Sequence, residues 1–262
     1  MSRLIDELNR VVRAVPQPMG FRAARPDSSE PRILLIASLA KIEDTNRLAD
    51  SIDGADAVLL RLDKSGLAAN TLKKIAASLP KIPWGGWLDD TGTKKLATLV
   101  EAGCDFMVFP ASSRVLATPQ DDKVGKILQV EPSLGEGLLR AVNDMPVDAV
   151  LAAHVCEAGE PILWHHLMIL QRLANLLSKP LLVTAPSEIT AGELKALWEA
   201  GGDGVVVETD TGHPERLKEL RRSIGKLKFP ASRKRGKAEA LLPRIGGEGS
   251  TATPDEEEEE EY

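Results

Sequence analysis

An excess of positive charge is missing from this chain: 33 Lys and Arg stand against 39 Asp and Glu, a formal net charge of -6. Neutralising phosphates takes a basic face, so no nucleic acid is expected as a partner of the main domain. Long apolar runs are missing as well. No stretch of about 18 apolar residues occurs, which argues against a membrane-embedded protein. The opening MSRLIDELNRVVRAV carries Arg, Asp and Glu where a secretory leader has an apolar core, and reads instead as an amphipathic helix. Cysteine is scarce. Cys104 and Cys156 fall at the start of one strand and the end of another in the assignment below, so no disulfide is expected and a cytoplasmic, reducing setting is.

What is present is a repeat. With 262 residues, 43% of them hydrophobic, the chain suits one α/β barrel or two small domains. The segments GADAVLLRL (54–62), GCDFMVFPA (103–111), PVDAVLAAH (146–154) and GGDGVVVET (201–209) each run from an aspartate into a short apolar stretch. Those aspartates are Asp56, Asp105, Asp148 and Asp203. Between them lie four further apolar runs, ILLIAS (33–38), PWGGWL (83–88), ILQVEP (127–132) and PLLVTAP (180–186). Segments with apolar residues at three- and four-residue steps fill most of the gaps, several ending at glycine; 112–125 is irregular, with room for one helical turn. Eight continuous apolar strands alternating with helices predict a parallel sheet covered by helices and closed as a (β/α)8 TIM barrel. The rival, an open doubly wound sheet, lacks its GxGxxG fingerprint, since ILLIASLAKIEDT follows the first strand. The expected organisation is an N-terminal capping helix and linker over 1–30, a barrel over 31–227 and a charged tail over 228–262.

The stretch LVTAPSEITAGELKALWEAGGDGVVVE (182–208) resembles the last quarter of the ribulose-phosphate-binding and aldolase-type barrel superfamily. The resemblance implies a phosphate of a sugar phosphate or a flavin held by glycine-rich turns after the seventh and eighth strands. Here those turns read Ala185, Pro186, Ser187, Glu188 and Glu208, Thr209, Asp210. Pro186 has no amide to donate, and two carboxylates repel a dianion.

Chemistry in such barrels sits at the carboxyl ends of the strands. Arg61 in AVLLRLD, Glu131 in ILQVEP and Glu208 in GVVVETD stand within, or at the end of, apolar runs. Burying an unpartnered charge is costly, so each predicts a partner. By the two-residue period Gln129 and Glu131 share one strand face. Two readings follow: a salt-bridge layer between Arg61 and a glutamate, or a site for a small anionic or polyhydroxy ligand. In the second, Arg61 clamps the anion, Glu131 and His154 exchange protons, and Asp89 or Glu208 positions a hydroxyl or cation. No spacing such as HExxH supports a metal, no lysine is embedded in a strand for Schiff-base chemistry, and the sequence names no cofactor. Trp84 is expected in the core, whereas Trp87 is open between core and ligand shelf.

The activity expected is that of a lyase or isomerase of a carboxylated or phosphorylated metabolite. The alternative is a catalytically degenerate barrel that binds or scaffolds a protein through its tail. That tail, KFPASRKRGK (228–237), AEALLPRIGG (238–247) and an acidic end DEEEEEEY (255–262), is expected to be disordered, with LLPRI as a docking anchor in the second reading. The long apolar helix over 161–178 leaves homo-oligomerisation as one use of its surface.

Overall fold

Eight strands, β1 (Leu34–Leu39), β2 (Ala57–Leu62), β3 (Trp84–Leu88), β4 (Phe106–Pro110), β5 (Gly125–Val130), β6 (Ala149–Ala152), β7 (Leu181–Ala185) and β8 (Gly204–Thr209), run parallel, each beside the next. β8 returns to β1, so the sheet closes as a barrel. The helices are α1 (Arg3–Arg13) ahead of the barrel, then α2 (Leu48–Ser51), α3 (Ala69–Ser78), α4 (Thr93–Glu101), α5 (Glu136–Ala141), α6 (Trp164–Leu176), α7 (Ala191–Glu199) and α8 (Arg216–Lys226). One 3₁₀ turn, Val115–Ala117, occupies the irregular segment after β4. The computed structural model describes residues 2–13, 33–39, 48–62, 69–79, 82–88, 93–119, 123–156, 160–209, 215–227 and 229. The linker after α1 and the tail from 230 onward lie outside the described residues.

The strand period of two divides the apolar residues into two cores. Along β1, Leu34 and Ile36 join an inner cluster with Leu59, Phe106, Val108, Ile127 and Leu151, while Leu35, Ala37 and Leu39 pack outward against the helices. Both faces are therefore dry, which is why these strands read as continuous apolar runs. Trp84 faces the helices and Trp87 the lumen. The two glycines between them leave no ligand space. A Cβ on Gly85 would stand 2.5 Å from the Phe106 carbonyl oxygen, and one on Gly86 would press on Leu99 of α4.

α1 closes the amino end of the barrel. Its apolar stripe, Leu4, Ile5, Leu8 and Val11, is buried in the inner cluster. At about 1.5–3 kcal/mol per buried side chain, the stripe contributes at most about 6–12 kcal/mol. The repeat aspartates explain how it is held. Asp56, Asp148 and Asp203 each accept the backbone N–H of a residue on the preceding strand: Leu35 at 2.7 Å, Lys126 at 2.8 Å and Leu181 at 2.8 Å. Asp105 serves α1 instead. Its carboxylate accepts the Ser2 hydroxyl at 2.8 Å, the Arg3 N–H at 2.9 Å and the Leu4 N–H at 3.1 Å, capping the helix from across the barrel floor. Asp56 also pairs with Arg221 of α8, whose Nε donates to the Gly54 carbonyl at 3.1 Å.

Candidate functional site

At the opposite end the inward face turns polar. Leu59 gives way to Arg61 on β2, Ile127 to Gln129 on β5, Leu182 to Thr184 on β7 and Val206 to Glu208 on β8, each two residues along and hence on the same face. The β2, β7 and β8 ends line a cavity of about 320 Å³, near the lower limit for small-molecule sites. Ala153 and Val206 supply apolar wall; Ser38, Arg61, Thr184 and Glu208 supply polar groups; Trp87, His154 and Cys156 complete the lining among the described residues.

Arg61 has its own seat. The guanidinium carbon lies 4.7 Å from the centroid of the Trp87 ring, a cation–π stack that leaves the in-plane N–H groups able to grip a planar anion. The ring is itself held: Trp87 Nε1 donates to Gln129 Oε1 at 2.8 Å. Three strands thus fix one cation. Of the two readings, the salt-bridge layer between Arg61 and a glutamate is not found among the described residues: no described carboxylate lies within ion-pair distance of Arg61. Thr184 contributes an orphan: its hydroxyl is buried with no hydrogen-bond partner among the described residues, a state that costs about 1–3 kcal/mol.

His154 stands at the end of β6 with φ 57, in the left-handed region. A non-glycine residue held there costs of order 1–3 kcal/mol. Its exposed ring stands at the mouth of the cavity. Glu208 is exposed too, on the rim beside Ser38 of β1. Cys156 is buried; burial, and secondarily the Glu193 carboxylate, push its thiol up to about 11, so it remains a protonated wall group at neutral pH. Glu193 braces this side. It accepts the Thr190 and Ile162 backbone N–H groups at 2.8 and 3.2 Å, joining the start of α7 to the segment before α6. The Thr190 N–H holds its carboxyl below the ordinary value.

Of the five residues expected from sequence, Arg61, His154 and Glu208 meet around the cavity. Glu131 does not. β5 ends at Val130, Glu131 is exposed and its carbonyl turns to accept the Leu134 N–H at 3.0 Å. Pro132 has no amide for the ladder, so the inward alternation stops before reaching Glu131. Asp89 lies outside the described residues, as do Lys41, Asp63, Lys64, Glu157 and Asp210. Thr184 was not expected as lining, whereas Cys156 was expected at the carboxyl end of its strand and lines the cavity. Thr184 had a signal, a single polar residue on the inward phase of LLVTA. His165 and His166 take no part: His166 Nδ1 accepts the Leu163 N–H at 3.1 Å and so caps α6. Among the described residues no three His, Cys, Asp or Glu side chains converge as metal ligands, and none of the helices is long and apolar enough to cross a membrane.

No protein-family model and no curated protein sequence matches the chain. Solved structures do. A ligand-free tryptophan synthase from M. tuberculosis superposes over 86% of this chain and 98% of its own, with TM-score 0.56 and 14% identity. A 3-hexulose-6-phosphate synthase covers 73% of this chain and 99% of its own at TM-score 0.54 and 15% identity. A thiamine phosphate pyrophosphorylase from Pyrococcus furiosus covers 74% and 98% at TM-score 0.54 and 11% identity. At such identities the likeness is one of fold, the closed eight-stranded parallel barrel.

Proposed function

We propose that this barrel binds a small carboxylated or phosphorylated metabolite in the cavity at its carboxyl end and acts on it as a lyase or isomerase. One observation carries the reading: a guanidinium stacked on a hydrogen-bonded tryptophan, unpaired with any described carboxylate, inside a cavity of ligand size. A cation held without a counter-ion among the described residues is a receptor for an anion. His154 is the proton-transfer group of this reading, and its φ of 57 supports that role, since strained residues cluster where the surroundings enforce a working geometry. Glu208 orients the part of the substrate away from Arg61. Glu131 has no place in the cavity and is assigned no step. The two thiols, both free, support a cytoplasmic setting.

A second reading, a barrel that docks a protein without transforming a substrate, is favoured by the apolar face of α6, where Trp164 is 82% and Met168 69% exposed. The experiment that separates them is a thermal-shift screen of sugar phosphates and small carboxylates, followed by proton NMR of each hit in D2O. A ligand at about 100 times its dissociation constant adds about 2.7 kcal/mol, a shift of several degrees. The enzyme reading expects hits that vanish in Arg61→Gln, and exchange or turnover that vanishes in His154→Asn while binding persists. Asparagine tolerates the left-handed backbone, so that variant keeps the loop. Hits without turnover would leave a binding protein, and silence across the screen would favour the docking barrel.

A further inference from the structure

The cavity holds charges of both signs that do not neutralise each other. Arg61 on β2 and Glu208 on β8 line the same 320 Å³ space, yet they form no ion pair with each other. β1 separates their strands: Glu208 pairs in register with Ser38, Ser38 with Leu59, and Arg61 lies two residues further along β2. Two strand spacings put the backbones about 10 Å apart. Opposite charges that share a cavity without meeting are complementary to one molecule that carries both.

We infer that the ligand is a small zwitterion, with a carboxylate on Arg61 and a protonated amine between Glu208 and Thr184. The inference rests on the reading that the cavity is the ligand site. At the Arg61 corner, the stacked guanidinium presents a planar, always charged fork suited to a carboxylate. At the other corner, Thr184 pairs in register with Val206, two residues before Glu208, so hydroxyl and carboxylate stand on neighbouring strands at successive levels of the inward face. The orphan Thr184 oxygen accepts one ammonium hydrogen and Glu208 another. A monocarboxylate leaves Glu208 and Thr184 unanswered. A phosphate dianion fares worse, because it meets the Glu208 charge and finds no amide at Pro186.

The test uses the full-length protein and probes that differ only in their charged ends. Calorimetric titration compares β-alanine, γ-aminobutyrate and 5-aminovalerate, which vary the span between charges, with butyrate, butylamine and glycerol 3-phosphate. At least one ω-amino acid should bind about tenfold or more tightly than butyrate and butylamine, the size of a charge-assisted hydrogen bond. Glu208→Gln, a change at an exposed rim position, should lower that affinity to the level of butyrate. Arg61→Gln should abolish binding of both. Butyrate or glycerol 3-phosphate binding as well as the zwitterions, with loss in Arg61→Gln, would overturn the zwitterion and keep the cavity as the ligand site. No binding by any probe would overturn both.

Discussion

Removing the carboxylate of Asp105 should loosen the barrel floor more than removing that of Asp148, which serves only a strand. In Asp105→Ala the Ser2 hydroxyl and the Arg3 and Leu4 amides lose their acceptor together. Loss of a helix cap costs about 0.5–2 kcal/mol. Leu4 is fully buried, and an orphaned buried amide adds about 1–3 kcal/mol. The sum is about 3 kcal/mol, which in a domain of this size lowers Tm by about 6–12 °C. Asp148→Ala is the control. Its Oδ2 accepts one N–H, from Lys126, in an exposed setting, so about 1 kcal/mol and about 2–4 °C are expected. Circular dichroism melts, with urea titrations to check the slope, give both values. Equal shifts in the two variants, or a change under about 3 °C in Asp105→Ala, would refute the view that α1 is held by this carboxylate.

Two further expectations concern titratable groups. The Glu193 carboxyl is held below the 4.5 of the free side chain, first by the Thr190 N–H. A depressed acid stabilises the fold above its unfolded value, and that contribution is lost as pH falls through the folded one. Glu193→Gln should therefore melt below wild type at pH 7 and converge with it as pH drops past about 4.5; a gap unchanged down to acid pH would contradict the assignment. Burial pushes Cys104 up to about 12 and Cys156 up to about 11, so neither thiol should be alkylated by iodoacetamide at pH 8 within hours in the native protein, whereas both should react on denaturation. Rapid native labelling of Cys156, read by mass spectrometry, would show that its wall of the cavity opens.

The barrel was legible in the chain because its strands are buried on both faces, and continuous runs such as AVLLRL and GVVVE stand out against the helical period. The aspartate repeat was legible as a repeat, but its purpose was not. Only the closed sheet shows that three of the four bind the preceding strand and that the fourth is diverted to a helix a hundred residues away. Arg61 and Glu208 could be found by the unlikelihood of a charge inside an apolar run. The same logic failed for Glu131, where Pro132 already marked the end of the ladder. Trp87 was undecidable from its own segment. Its partner Gln129 lies two strands away, and the bond between them depends on register, which no local pattern encodes.

With α1 seated in its floor, the barrel is, among the described residues, a cup with a single mouth. Within those residues, whatever enters between Arg61 and Glu208 leaves by the same route, past His154. Arrival and departure then cross one barrier. A group that narrows the mouth without touching the occupant slows both by the same factor and leaves the dissociation constant where it was. In such a vessel residence time and affinity are set by different residues: the rim governs how long a guest stays, and the floor and walls govern how tightly it is held.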